Sequence, residues 1–559
     1  MTNKTRGSKK TTPRRPIWKT LGLAIAFMGL AAFASPVSQS NLSPVYGSIP
    51  SAIYHQKAIA IIPLVAFVVT NLSPRKYMPS NMMVYLPVIA YYIPIIQWAL
   101  FPLSGRFGAE LGPLITEALS YYPLLFMACI ATSIVLEELD LSHLPPTIAD
   151  GIRPAFSYIF FTTVERTSTD LISRTIGKAD FMSRSGLNLL IASFYAALAR
   201  TPYLLINIPG ILHTMYGNMH HYSGATNKLV NKTLAIYNYT LLERRDSLTG
   251  YISVLEDNVN QFRVLRCDHS LLGGEWLVND ERRAQGQIKR ETIYSVFTML
   301  ESVRLVEGVG QKDSEANALF IGLGTGTSTA AFIYHGINTT VVELDPVVHE
   351  FATKYFDLPG NHTTALEDAA SFVKSQAITH PKSYDYIIHD VFTGGAEPTE
   401  LFTLEFLHGI SNILKDEGVV AINYAGDLTL PPLRIVLATI HSIFPTCRAF
   451  RDSPPESNSP AHTFINMVVF CTKSRLRPLT FREGSEADWM GSLSRREFIP
   501  PAKNLEISID SVVGKDFPDE RSILRRGNKA IIEKYHRRSA VRHWELMRTV
   551  LPDAVWEAW

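Results

Sequence analysis

The sequence predicts an α/β protein: a Rossmann-like sheet, preceded by a small β meander and, before that, an all-α transmembrane region. Three observations carry this expectation. Ala318–Asp345 reads ALFIGLGTGTSTAAFIYHGINTTVVELD: an apolar strand, a glycine turn, a helical segment and a second strand ending in acids. Strand-like and helix-like segments then alternate as far as Cys471, which implies a mostly parallel sheet with helices on both faces. Upstream, four apolar stretches approach or exceed the roughly 20 residues that cross a bilayer.

The chain has 559 residues, enough for two or three domains. Its net charge of +2 gives no bulk attraction to nucleic acid, so no nucleic-acid partner is expected. The first 15 residues carry Lys4, Arg6, Lys9, Lys10, Arg14 and Arg15 and no acid. The four cysteines (Cys129, Cys267, Cys447, Cys471) are far apart and form no CxxC pair. They read as unpaired buried thiols of a reducing compartment, with neither a zinc site nor a disulfide framework.

The four apolar stretches lie at 17–34, 52–72, 83–103 and 113–136. Two weaker ones follow: 152–163 is short, and 187–212 is interrupted by Arg200. Four to six spans are expected over 17–212. Charge sets the sidedness: the basic tail 1–16 stays cytosolic, the loop 35–51 has no Lys or Arg, and the next loop carries Arg75 and Lys76. An even number of spans returns the rest of the chain to the cytosol. A cleaved signal peptide is the alternative for the first stretch, disfavoured because three more spans follow. The sequons at Asn231, Asn238, Asn338 and Asn361 would suit a lumenal domain, but a cytosolic nucleoside pool favours the cytosol. Few charges interrupt the spans; Lys57, Glu117 and Arg200 are the exceptions.

A polar link from about His213 to Arg245 joins the halves. A β-rich unit over 246–310 follows, with runs at 250–255, 261–267 and 271–277 and a helix over Glu291–Leu305. Residues 311–475 hold the Rossmann-like domain. Its strands are expected at 318–322, 339–343, 362–366, 384–389, 418–424, 448–450 and 464–471. Its helices are expected at 327–334, 346–355, 368–379, 399–414 and 431–443. The loop Asp452–Pro460 is turn-rich. The basic extension 476–559 contains an amphipathic Arg-rich segment, 521–548, expected to pack on the domain, with membrane-surface docking as the alternative.

Ligands of parallel sheets bind beyond the carboxyl ends of the strands. The turn Gly322, Gly324, Thr325, Gly326 and the acids Glu343, Asp368 and Asp390 all fall there. The turn lets backbone approach a nucleotide, and an acid about 20 residues on can accept ribose hydroxyls. That points to an adenosyl ligand. His389 reads as a satisfied buried histidine, and His408 with Glu405 as a surface pair; a helix cap is the weaker alternative for Asp368 and a strand-end cap for Asp390. No metal site is expected.

YDYIIHDVFTGGAEPTELFTLEFL, at Tyr384–Leu407, resembles the active-site strand and loop of the spermidine/spermine synthase (polyamine aminopropyltransferase) family, over about Asp246–Lys473. The resemblance implies a class I S-adenosylmethionine-dependent fold. It assigns Asp390 the catalytic role, Glu343 (in VVELDP) the ribose and Asp368 (in LEDAASFV) the adenine amino group. Tyr294 falls where the family has a helix tyrosine at the substrate site. Two departures stand out. Thr325 takes the place of the acid that holds the aminopropyl amine, and Thr393 that of the second loop aspartate, leaving Glu397 and Glu400 as nearby acids.

The expected activity is a membrane-anchored transferase using S-adenosylmethionine or its decarboxylated form, with methyl transfer to a small lipophilic acceptor ahead of polyamine aminopropyl transfer. A non-catalytic nucleoside-binding transporter or sensor is the third reading. Expected partners are the lipid bilayer and a small-molecule acceptor, with homodimerisation left open.

Overall fold

Helices come first because the first half offers long apolar runs with few breaks. The computed structural model describes residues 16–72, 82–141, 145–200, 202–309, 312–391, 394–454, 464–514 and 522–559. The basic tail, the Arg75–Lys76 loop and the end of the Asp452–Pro460 loop lie outside these. The helical region comprises α1 (Ile17–Tyr46), α2 (Ser48–Ile53), α3 (His55–Leu72), α4 (Leu86–Leu100), α5 (Ser104–Leu119), α6 (Tyr121–Leu136), α7 (Pro146–Thr175), α8 (Arg184–Ala199) and α9 (Leu204–Leu212). Phe27, Met28, Ala31 and Ala32 of α1 are fully buried in a core shared with Tyr121, Leu124 and Ala128 of α6 and Phe161 of α7.

Three helical segments among the described residues are long and apolar enough to cross a membrane: Ile17–Tyr46, Ser48–Thr70 and Met82–Leu119. The fourth expected span is divided. Its start ends α5, and its remainder is the 16-residue α6. The short stretch 152–163 lies inside the 30-residue α7. Arg200 does break the last stretch: it sits between α8 and α9 with φ 45°. Glu117 is buried and satisfied. It accepts from Ser38 Oγ (2.9 Å) and Tyr122 OH (2.8 Å) and pairs with His55 Nδ1 at 2.8 Å.

The expected polar link is largely structured. It contains a π-helical turn (His213–Gly217), the helix Gly224–Ala235 and the first strand. Ser223 and Thr226 start that helix with a capping box. Five antiparallel strands then run in order: β1 (Tyr239–Ser247), β2 (Gly250–Asp257), β3 (Phe262–Cys267), β4 (Ser270–Trp276) and β5 (Glu291–Thr292). The meander therefore begins ahead of residue 246. The helix expected over 291–305 yields its first residues to β5, which pairs with β4, and is helical only from Ser295.

The second sheet holds β6 (Asn317–Ile321), β7 (Asn338–Glu343), β8 (Thr363–Leu366), β9 (Tyr384–His389), β10 (Leu414–Asp427), β11 (Thr446–Arg451), β12 (Phe464–Thr472) and β13 (Glu506–Ile507). Its order is β13-β11-β12-β10-β9-β6-β7-β8, with β10, β9, β6, β7 and β8 parallel and the other three antiparallel. Every residue of β9 is buried, as a central strand covered on both faces requires. The cysteine expectation is corrected here. Cys447 and Cys471 are direct cross-strand partners on β11 and β12 and form a disulfide; Cys129 and Cys267 remain free. A hairpin closes the 24-residue separation that made pairing invisible in sequence.

The extension packs on the domain. Helix Ala530–Val550 buries Ile532, Ala540, His543, Trp544 and Met547, and its last turns reach the helical region. Arg266, fully buried, ties these parts together: it donates to the carbonyls of Asp268, Val555, Trp556 and Pro44.

Candidate active site

The carboxyl ends of β6, β7 and β9 open on a cavity of about 920 Å³. Its donor side is backbone-built. Gly322 has φ +85°, and a Cβ there would stand 2.2 Å from the Asp390 carbonyl oxygen. Gly324 has φ +55°, and a Cβ would stand 2.5 Å from the Leu272 carbonyl oxygen. Both positions therefore require glycine.

Glu343 ends β7 facing this cradle. Its carboxylate accepts from the backbone N–H of Leu323 (3.0 Å) and of Asp345 (2.9 Å). Burial pushes its pKa up to about 7, against the lowering effect of the N–H groups it accepts from; the Asp345 charge adds to the rise. Asp345 itself is structural: it caps the next helix at Val347 N and accepts from Ser247 and Thr249. Asp368 caps its helix through Ser371 N (2.9 Å) and also lines the cavity. These groups fit an adenosyl donor: a carboxylate with lone pairs left for a ribose diol, beside turns that a side chain would fill.

Asp390 follows β9 on the other side. Asn423 Nδ2 of β10 donates to its Oδ1 at 2.7 Å, and burial pushes its pKa up to about 6. Tyr294 lines the same space, with its phenol pushed up to about 12 by burial. The far wall is formed by Ala425, Asp452, Phe464 and Asn466. His543, Leu546 and Met547 of the last long helix line it too, as do Gly47 and Ser48 of the helical region.

The structure thus brings Gly322, Gly324, Glu343, Asp368, Asp390 and Tyr294 around one cavity. Thr325 and Gly326 are not on its wall. Thr325 is buried against Gly273 and hydrogen-bonds Thr327, and Gly326 starts the helix Thr327–Tyr334. Thr393 lies outside the described residues. His389 is a buried histidine between Phe402 and Phe406, its pKa lowered to about 4 by burial. Glu397 is engaged by Tyr424 OH, and Glu400 by Arg526 and Lys529. Sequence reasoning missed Asn423, Asp452, Asn466 and His543. Asn423 was within reach, since it falls at the carboxyl end of an expected strand. The others come from the antiparallel half and the extension, which no motif marks.

A parallel sheet that opens such a cradle at its carboxyl edge, with the donor acid on one side and Asp390 on the other, is the arrangement of class I S-adenosylmethionine-dependent transferases. The spermine/spermidine synthase domain family matches residues 302–450. An N-terminal histidine N-methyltransferase of Emericella nidulans is 44% identical over 554 residues, 97% of this chain and 98% of that protein. A polyamine aminopropyltransferase of Vibrio vulnificus is 37% identical over 109 residues, 19% of this chain and 36% of that one. A probable spermidine synthase structure from Corynebacterium glutamicum covers 45% of this chain and 85% of its own, at 19% identity and TM-score 0.35. The chain belongs to the spermidine-synthase-like family of S-adenosylmethionine-dependent transferases, together with the Emericella protein. It is a transferase, and methyl transfer is the reaction that full-length relative supports.

Proposed function

We propose that the protein transfers a methyl group from S-adenosylmethionine to the N-terminal histidine of a polypeptide. The observation that carries this is the 44% identity to the histidine methyltransferase in an alignment that spans the helical region, the meander and the sheet. In this reading a polypeptide terminus replaces the small lipophilic acceptor expected from the membrane half. Aminopropyl transfer is the weaker reading. The turn carries Thr325 where a carboxylate would be needed, and Glu400 is already neutralised by two cations.

The donor supplies an activated methyl carbon when bound. Glu343 and the Gly322–Gly324 cradle hold its nucleoside half, and Asp368 stands beside them. Asp390, ionised at neutral pH and fixed by Asn423, accepts from the N–H of the acceptor's imidazole, which turns the lone pair of the other ring nitrogen toward the methyl carbon, and takes that N–H proton as the methylated ring would otherwise become a cation. The N–C bond forms as the S–C bond breaks, with its electron pair left on sulfur. Positioning supplies most of the rate, because the donor is already activated.

The helical region is assigned to a bilayer. The supports are its three long apolar helices and outward-facing side chains such as Ile61, Ile159 and Leu205. The catalytic domain is assigned to the side opposite the basic N-terminus, a reversal of the cytosolic expectation. Pro44 and Val45, at the last turn of α1, are bonded to Arg266 and Trp544 of the catalytic part. Ile17 is then about 40 Å away along the helix. The Cys447–Cys471 disulfide also suits an oxidising compartment.

The test is direct. Full-length protein in detergent is incubated with S-adenosylmethionine and a peptide beginning with His, or the same peptide beginning with Ala. A parallel reaction contains decarboxylated S-adenosylmethionine and putrescine. Methylation confined to the His peptide, seen by fragment mass spectrometry, is expected. Aminopropylated putrescine with an unmodified His peptide overturns the proposal.

A further inference from the structure

The cavity holds polar groups that donor binding and Asp390 leave unused. Asn423 is 8% exposed. Its amide nitrogen is committed to Asp390, which fixes the orientation of the amide. Its carbonyl oxygen Oδ1 is buried and meets no hydrogen-bond partner among the described residues. Leaving a buried acceptor unsatisfied is unfavourable, so this wall suits a ligand that brings an N–H.

Asp452 stands further along the same sheet edge, just past β11. Its Oδ2 accepts from Asn466 Nδ2 and its Oδ1 from Ser453 Oγ, both at 3.2 Å. Among the described residues no lysine or arginine is paired with it; burial raises its pKa, and its hydrogen bonds and the field of neighbouring Arg451 oppose that rise. Ala425 and Asn466 are cross-strand partners and stand on the wall between Asn423 and Asp452. All four residues line the cavity.

We propose that Asn423 Oδ1 and Asp452 form an ammonium site that holds the α-amine of the acceptor's N-terminal histidine while Asp390 faces its imidazole. This rests on the histidine reading above. An ammonium has three N–H donors and one positive charge, which a neutral acceptor and a carboxylate satisfy together. At neutral pH the α-amine, with pKa about 7.7–8.0, is largely protonated and has no lone pair, whereas the imidazole, at about 6.5, is largely neutral and nucleophilic. The charged end therefore belongs at the anchor and the ring at Asp390, beside the donor cradle. The strands also set the reach. β9 and β11 are three strand spacings apart, about 14 Å between backbones. Each carboxylate is bonded to an asparagine on the strand next inward, which shortens that span.

The experiment compares wild type, Asp452→Asn and Asp452→Glu in detergent, with S-adenosylmethionine and two His-initiated peptides, one with a free amine and one N-acetylated. Wild type is expected to show a KM at least about tenfold higher for the acetylated peptide. Asp452→Asn should raise KM for the free peptide about tenfold, leave kcat within about twofold and erase the preference, and Asp452→Glu should restore much of it. Equal use of the two peptides by wild type overturns the anchor and needs no variant. An unchanged KM in Asp452→Asn with an unaltered melting temperature, or a methyl group found on the α-nitrogen, also overturns it. Wild type inactive on both peptides overturns the histidine reading and the anchor with it; the other results arise only with an active wild type, so the two failures are distinct.

Discussion

Asp390 and Glu343 are carboxylates held in a place that resists their charge, and two consequences follow. Burial raises the pKa of Asp390 to about 6 and that of Glu343 to about 7. A raised carboxyl pKa means the folded state holds its proton longer than the unfolded chain. The stability these two groups contribute is therefore fully present below about pH 4 and declines as pH rises toward 6–7, while the ionised form that activity needs appears over the same interval. Asp390→Asn should stabilise the protein at neutral pH by about 1–3 kcal/mol, read from thermal unfolding. It should also cut kcat by about 10²–10⁴ with donor affinity retained by calorimetry. In wild type, kcat should fall as pH drops through about 6. A variant that binds donor normally and turns over normally would remove Asp390 from the chemistry. These two acids were legible in the sequence because each ends an apolar run, and strand ends are where parallel sheets bind ligands. Asp452 was not, because β11 pairs only with antiparallel neighbours, and only the sheet order shows that its carboxyl end reaches the same edge.

Elements were legible where their periodicity is local. Thr327–Tyr334, Pro346–Tyr355 and Pro431–Ile443 form the helices expected, because apolar spacing and an N-terminal turn or proline specify each within its own segment. β1 and β5 were not legible, since each is held by a partner strand rather than by its own pattern. The C-terminal helix reads as amphipathic in sequence, yet its partners are set by tertiary contacts. Trp544 Nε1 donates to Val45 O, and Arg548 reaches His269, Val45 and Ser104. Arg266 is the junction's central group, with four backbone carbonyls as acceptors drawn from the meander, the C-terminus and α1. Arg266→Met keeps much of the volume but orphans those carbonyls. It should destabilise the folded protein by about 3–5 kcal/mol. The check is detergent-solubilised thermal unfolding, together with faster proteolysis between the helical region and the sheet domain. An unchanged melting temperature would show that the carbonyls find other donors and that the junction does not depend on this residue.

At the scale of the whole molecule the proposed sidedness rests on the geometry of α1. Parity of the spans was the basis of the cytosolic expectation, and parity depends on which helices cross. The structure offers a measure that does not. One continuous 30-residue helix starts at Ile17 and ends against the catalytic part. Ser40 already accepts from Arg184, which also pairs with Asp246 and Asp268 of the meander, so in the proposed arrangement the crossing length is the portion before it. That leaves about 23 residues, roughly 35 Å, close to a hydrocarbon core. If the basic tail is cytosolic, the catalytic domain lies across the bilayer, in a compartment where the Cys447–Cys471 bond can persist and to which donor must be delivered. Three sequon asparagines, Asn238, Asn338 and Asn361, are exposed on that domain, while Asn231 is occupied by hydrogen bonds to Leu241. Expression in a eukaryotic host should therefore give a glycosidase-sensitive increase in apparent mass, diminished stepwise by Asn238→Gln, Asn338→Gln and Asn361→Gln. In sealed microsomes the domain should resist added protease until detergent is present. Protease digestion of the domain in intact vesicles, with no glycan on any of the three, would return it to the cytosolic face.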